Sequence, residues 1–333
     1  MVWLRVGWCA AVIAIGALEC VSAEAQCTAY VATHKSNSVA VVDTALDRVV
    51  TVIPVQIQPL AVAITPDRSY AYVTNSGWMF GSNSVSVIDT GTNAVVAAIP
   101  VGSFPVGVAF TPNGASAYVA NFNSNSISVI DTATKSVTAT IPVGNGPWGV
   151  AITPNGTLAY VTNVNSNNVS VIDTVSNSVV ATVAAGTGPV AVAIKPNGTT
   201  AYVANQTSND ISVIDVASNV VIASVPVGNG PYALAVTPNG AVIYVANAAS
   251  STVSVIDTAT NNVTATVITG STPHGVAVTP DGAFAYVTNQ VGNSISVIDT
   301  ATNAVVDTIQ GVGALPEGIA MMLQKNALKY SCR

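Results

Sequence analysis

Charge is scarce in this chain. Asp, Glu, Lys and Arg together make up 7% of its 333 residues. The surface must therefore be carried by Asn, Ser, Thr and Gly. No run of Lys or Arg occurs and the formal net charge is −6, so a polyanion finds no electrostatic footprint and nucleic acid is disfavoured as a partner. Only two histidines are present, His34 and His274, and no His or Cys cluster has local metal-ligand spacing. The common catalytic signatures are missing too: there is no Gly-x-Ser-x-Gly, no His-Glu-x-x-His, no phosphate loop and no Cys pair for metal or haem attachment. These gaps disfavour an enzyme with a local motif. They say nothing against a site assembled from distant segments. Beyond the N-terminus no apolar run is long enough for a transmembrane helix. The hydrophobic fraction of 50% instead fits strands that are apolar on both faces.

The first residues read as a secretory signal over 1–25. Arg5 supplies a minimal positive start, Val6 to Leu18 is a short apolar run, and Val21-Ser22-Ala23 or Ala23-Glu24-Ala25 offers small-residue cleavage. Glu19 before Cys20 argues against lipid attachment. Cys9 and Cys20 leave with the signal. Cys27 and Cys332 remain at opposite ends of an exported chain, periplasmic, secreted or on the cell surface, which suggests a disulfide over two free thiols.

What is present is a repeat. A Tyr-Val tetrapeptide recurs at Tyr30, Tyr72, Tyr118, Tyr160, Tyr202, Tyr244 and Tyr286, at steps of 42, 46, 42, 42, 42 and 42 residues. One unit, from Pro147, reads as four strands: PWGVAI, a Pro-Asn-Gly turn, LAYVTN, a polar loop, VSVIDT, a turn, and VVATVA. Each run has strand length, is rich in Val, Ile, Thr and Tyr, and is bounded by turn residues. Seven such units predict an all-β, seven-bladed β-propeller of four-stranded antiparallel blades, as a single domain over 26–333. An open β-solenoid needs shorter rungs. The first unit lacks its first strand, and Leu315 to Met321 is a first strand without a unit. Closure follows: the C-terminal strand enters the N-terminal blade, which removes two open edges. A Cys27–Cys332 bond would lock that seam.

The repeated AYVTN or AYVAN, the following SVSVIDT or SISVIDT, and the TPNG or TPDG turns resemble the YVTN-family seven-bladed β-propellers of bacterial exported and archaeal surface-layer proteins. The resemblance covers Thr28 to about Met321. It implies a fold and an extracytoplasmic setting, and no single activity, because propellers host binding, scaffolding and catalysis alike.

Residues shared by every unit take structural roles. Asp43, Asp89, Asp131, Asp173, Asp215, Asp257 and Asp299 each end a third strand, where a carboxylate accepts turn amides. The seven Tyr are core or inter-blade residues, and Gly114, Gly156, Gly198, Gly240 and Gly282 supply turns. Glycosylation sequons at Asn155, Asn168, Asn197, Asn205 and Asn262 are expected by chance in so Asn/Thr-rich a chain.

Unshared residues are the functional candidates. The position after the Pro that opens each innermost strand is Leu60, Val106, Trp148, Val190, Tyr232, His274 and Glu317 around the ring. Trp148, Tyr232, His274 and Glu317 should converge at the channel mouth, either as a ligand site or as a plug. His34 lies in a loop of the same face. With His274 and Glu317 it offers a facial metal site or an acid/base pair; no cofactor is expected. The 46-residue step marks an insertion at 76–82, where Trp78, Met79 and Phe80 form an apolar tip, with Phe104 and Phe122 placed to extend it. The leading expectation is a monomeric exported propeller that binds a small molecule or protein through this top face. The alternatives are an enzyme, a lyase or lactone-type hydrolase, and a structural cell-surface protein.

Overall fold

A computed structural model describes residues 27–77 and 82–323. It contains seven four-stranded antiparallel sheets, each a blade of one ring. Blade 2 spans 59–100, blade 3 105–142, blade 4 147–184, blade 5 189–226, blade 6 231–268 and blade 7 273–310. Blade 1 is composite. Its innermost strand is Pro316–Leu323, which pairs antiparallel with Cys27–Thr33; Ser38–Asp43 and Arg48–Pro54 lie outside it. The closure expected from the incomplete ends is therefore present.

The blades hold together because their second and third strands are buried on both faces. One apolar cluster fills each interface between neighbouring blades. At the seam, Ala29, Val31 and Ile319 of blade 1 pack on Phe284, Tyr286 and Ile295 of blade 7. The repeated tyrosines add a directional bolt. Tyr30, Tyr118, Tyr160 and Tyr244 donate to the side-chain oxygens of Asn93, Asn177, Asn219 and Asn303 in the next blade, at 2.6–2.8 Å. Tyr286 closes the circle on Asp47 of blade 1, at 2.8 Å. Two tyrosines lack this bond: Lys135 stands in the Asn place opposite Tyr72, and the Asn261 side-chain oxygen opposite Tyr202 has no partner; Lys135 instead lies 4.8 Å above the Tyr70 ring.

The repeat aspartates sit where the sequence puts them. Asp43, Asp89, Asp131, Asp173, Asp215, Asp257 and Asp299 each accept amides of the turn that follows. The Thr134 amide and hydroxyl hold Asp131 below the usual carboxylate range. The Ser218 hydroxyl and amide do the same for Asp215.

The outer strands are the exposed edges. Each carries a one-residue bulge at the same place, so that Val50, Val96, Val180, Ile222 and Val306 have no partner in the register. These residues are also among the most exposed apolar side chains. A bulge disrupts the row of free amides and carbonyls that would otherwise template further strands. In a chain this poor in charge it replaces the lysines that usually guard an edge.

Among the described residues no helix is long and apolar enough to cross a membrane. Cys27 is fully buried at the head of its strand. Cys332, the signal residues and the Trp78-Met79-Phe80 tip lie outside the described residues.

Candidate active site at the channel mouth

Two kinds of loop share the top face: those joining second to third strands, and those joining one blade to the next. Seven equivalent backbone hydrogen bonds tie them together. The amides of His34, Ser76, Phe122, Val164, Gln206, Ala248 and Gln290 donate to the carbonyls of Leu315, Gln58, Phe104, Gly146, Gly188, Gly230 and Thr272. The residue before each inner-strand Pro adopts positive φ in every blade: Gln58, Phe104, Gly146, Gly188, Gly230, Thr272 and Leu315.

The ring read from the sequence does converge. Leu60, Val106, Trp148, Val190, Tyr232, His274 and Glu317 together line a cavity of about 190 Å³ on the axis. The inner strands approach closely there. A Cβ on Gly107, Gly149 or Gly275 would fall within 2.4–2.6 Å of the carbonyl of Trp148, Val190 or Glu317 in the next blade, so only glycine fits. Where the second strand carries Thr, its hydroxyl donates across the same gap: Thr74 to Val106 and Thr288 to Glu317, both at 2.6 Å.

His274 and Glu317 form the polar centre. The His274 Nδ1 and a Glu317 carboxylate oxygen are in direct ion-pair contact. Gln290 donates its amide to the other carboxylate oxygen at 2.6 Å. Both side chains are nearly closed off, with His274 9% and Glu317 4% exposed. With Nδ1 engaged by the carboxylate, Nε2 is the ring nitrogen left to face a ligand, and no hydrogen bond to it is seen among the described residues. The Tyr232 ring stacks on the imidazole, centroids 3.5 Å apart. Loss of water around Tyr232, and then the nearby Glu317 charge, push its hydroxyl well above the usual phenol range. It therefore stays a neutral group at any physiological pH.

An aromatic arc continues from Tyr232. Trp148 meets Tyr232 edge-on at 6.0 Å, Phe122 meets Trp148 at 5.5 Å, and Phe104 meets Phe122 at 5.6 Å. Phe104 and Phe122 thus join the channel-mouth ring. Phe104 is 6% exposed; the insertion tip that it and Phe122 were expected to extend lies outside the described residues.

Among the described residues no hydrogen bond or ion pair joins His34 to His274 or Glu317. A loop residue of one blade reaches the ring residue of the next, as Gln290 reaches Glu317 and Phe122 reaches Trp148. The His34 Nδ1 is enclosed without a partner. Among the described residues no group of three His, Cys, Asp or Glu is arranged to hold a metal ion, so a site built from His34, His274 and Glu317 is not assembled. Gln290 was the residue the sequence reading missed. Its position varies around the ring as freely as the inner-strand one, from His34 to Ala248, and comparing units there would have exposed it.

Comparisons with known proteins agree on the architecture. Residues 131–269 match a family model described as lactonase, 7-bladed beta-propeller. Residues 232–318 match one described as a YNCE-like beta-propeller. No curated protein matches the chain. Among solved structures, hydrazine synthase of Kuenenia stuttgartiensis is similar with TM-score 0.72 and 23% identity, over 80% of this chain and 96% of that one. A "putative 6-phosphogluconolactonase" from Bacteroides uniformis is similar with TM-score 0.75 and 16% identity, over 90% of this chain and all of the other. A functionally unknown protein from Desulfotomaculum acetoxidans gives 0.76 and 20%, over 88% and 98%. The chain is a seven-bladed β-propeller. At these identities the structural likeness establishes the fold alone.

Proposed function

We propose that the protein is an exported hydrolase of cyclic esters, working at the channel mouth with His274 as general base and Glu317 as the group that orients it. The observation that carries this reading is the buried His274–Glu317 pair, with Nδ1 engaged and Nε2 left to face a ligand beside an axial cavity. A carboxylate behind an imidazole fixes its tautomer and stabilises the imidazolium formed when it takes a proton. In the reaction, Nε2 removes a proton from water as the water oxygen bonds to the lactone carbonyl carbon. The ring C–O bond then breaks, and the imidazolium returns the proton to the departing alkoxide. Gln290 holds the second oxygen of Glu317 and so keeps the carboxylate aimed at Nδ1. The lactonase description matched by 131–269 supports the reaction class. No Lys or Arg lines the cavity, which favours an uncharged substrate over a phosphorylated one.

A non-catalytic binding module is the second reading. The aromatic arc from Phe104 to Tyr232 favours it, because such a wall holds a ligand without needing to transform it.

Hydrolysis of a panel of lactones, followed by acid release at constant pH, tests the proposal. Turnover is expected in the native protein, with a loss of about 10²–10⁴-fold in His274→Gln and a comparable or smaller loss in Glu317→Gln. Both variants should retain a cooperative melt. A native protein that binds panel members and releases no acid would transfer the assignment to the binding module.

Export carries its own prediction. In an oxidising compartment Cys27 and Cys332 should be linked, which closes the seam covalently. Non-reduced peptide mass spectrometry of the monomer should show that pair. Two free thiols in exported protein would remove the bridge and leave the strand closure untouched.

A further inference from the structure

We infer that Phe104, Phe122 and Trp148 form a subsite for a flat, uncharged aromatic group of the substrate, at the blade 3/4 junction and so across the mouth from the reacting pair at the blade 7/1 junction. The inference rests on the lactone-hydrolase reading for its reaction and on separate observations for its location.

Three positions vary among the seven units on the top face: the residue before the inner-strand Pro, the residue after that Pro, and the residue following the second strand. Only where blade 3 meets blade 4 are all three aromatic, as Phe104, Trp148 and Phe122. They touch one another, Phe104 to Phe122 at 5.6 Å, Phe122 to Trp148 at 5.5 Å and Phe104 to Trp148 at 6.4 Å.

The Phe104 backbone follows the repeat, and the loop at Phe122 departs from it. Phe104 holds φ +56, pinned by its amide on the Asn83 side chain at 3.0 Å. Three other blades place glycine at that position, Gly146, Gly188 and Gly230. Phe122 begins a 3-10 helix, Phe122–Ser124, which the equivalent loops of the other described blades lack.

Charge selects the ligand. No cationic side chain lines the cavity, and the one carboxylate there, Glu317, is already engaged by His274 and Gln290. An aromatic wall with no free charge takes an uncharged π-face by stacking or edge contact. A quaternary ammonium would want the carboxylate free. Trp148 also touches Tyr232, which stacks on His274, so an aryl group on this wall and a lactone carbonyl at Nε2 belong to one ligand.

The test uses dihydrocoumarin, an aryl lactone, against δ-valerolactone, which lacks the aryl ring, together with calorimetric binding of coumarin. The native protein should prefer dihydrocoumarin by at least tenfold in kcat/KM. Trp148→Leu and Phe122→Leu should each lower that ratio about tenfold, chiefly through KM. Coumarin should bind the native protein, and Trp148→Leu about tenfold more weakly. If Trp148→Leu fails to fold, Phe122→Leu, on a loop, carries the same readout. Coumarin binding without any lactone turnover would sustain the subsite and sink the hydrolase. Turnover with no aryl preference, and no change in the leucine variants, would sink the subsite and sustain the hydrolase. Displacement of coumarin by tetramethylammonium would overturn the uncharged assignment in favour of a cation cage.

Discussion

A chain cut after Ala314 is expected to lose its cooperative melt and to aggregate. The cut removes the strand Pro316–Leu323, the only inner strand of blade 1. Several consequences fall together. Cys27–Thr33, now a central strand buried along its whole length, becomes an edge with unpaired amides. Ile319 leaves the seam cluster shared by blades 1 and 7, and Met322 leaves the one shared by blades 1 and 2. At roughly 1.5–3 kcal/mol for each buried side chain of that size, these two residues alone remove a large share of a typical stability of about 5–15 kcal/mol. The Thr288 hydroxyl loses its acceptor on Glu317 as well. A cut after Leu323 is the control, because it keeps every described pairing and removes only 324–333. Thermal melts of the two proteins should differ sharply. Equal melting temperatures would mean that the ring does not depend on its seam strand.

The fold was legible because each unit states it again. Strand, turn, strand, loop, strand, turn and strand recur seven times, and the missing first strand of unit one pointed to the orphan segment at Leu315. The channel-mouth ring was legible for the opposite reason. Once the shared positions are removed, Trp148, Tyr232, His274 and Glu317 stand out, and the structure sets them around one cavity. What escaped was the sector in which each loop residue acts. Sharing a face gives His34 no described bond to His274, and where a loop residue is seen to act it serves the blade after its own. The same offset carries Gln290 to Glu317 and Phe122 to Trp148. A contact between blades has no trace in local spacing, and no motif search recovers it. The Thr or Ala choice in AYVTN and AYVAN is similar: Thr74 and Thr288 reach carbonyls in the next blade, a role that the tetrapeptide itself does not reveal.

Alkaline pH should unlock the ring between about pH 10 and 12, with little change below. Tyr30, Tyr72, Tyr118, Tyr160 and Tyr244 are each pushed up to about 12 from 10.0, first by burial and then by neighbouring charge, mostly a repeat aspartate such as Asp173 beside Tyr118. The unfolded chain gives up these protons near pH 10, and the folded one holds them until near 12. In that window the folded state binds more protons, so raising pH favours unfolding. Below pH 10 both states are protonated and the tyrosines add no slope. One pKa unit corresponds to about 1.4 kcal/mol. The hydroxyls lie near the turns, where water screens part of the effect, so about 1 kcal/mol per tyrosine is expected. Five such groups acting in one ring reach about the stability of a typical domain. Ionisation also turns the Tyr30, Tyr118, Tyr160 and Tyr244 hydroxyls from donors to Asn oxygens into anions facing them. Urea midpoints measured across pH should therefore hold steady to about pH 10 and then fall steeply, together with a rise in tyrosinate absorbance. Tyr118→Phe removes one titrating group and one inter-blade bond. It should lower stability at neutral pH by about 1 kcal/mol and make the alkaline fall shallower. A tyrosinate titration centred near 10 in protein that remains folded would show that these hydroxyls are already in water, and the bolt between blades would have to be assigned to the apolar clusters alone.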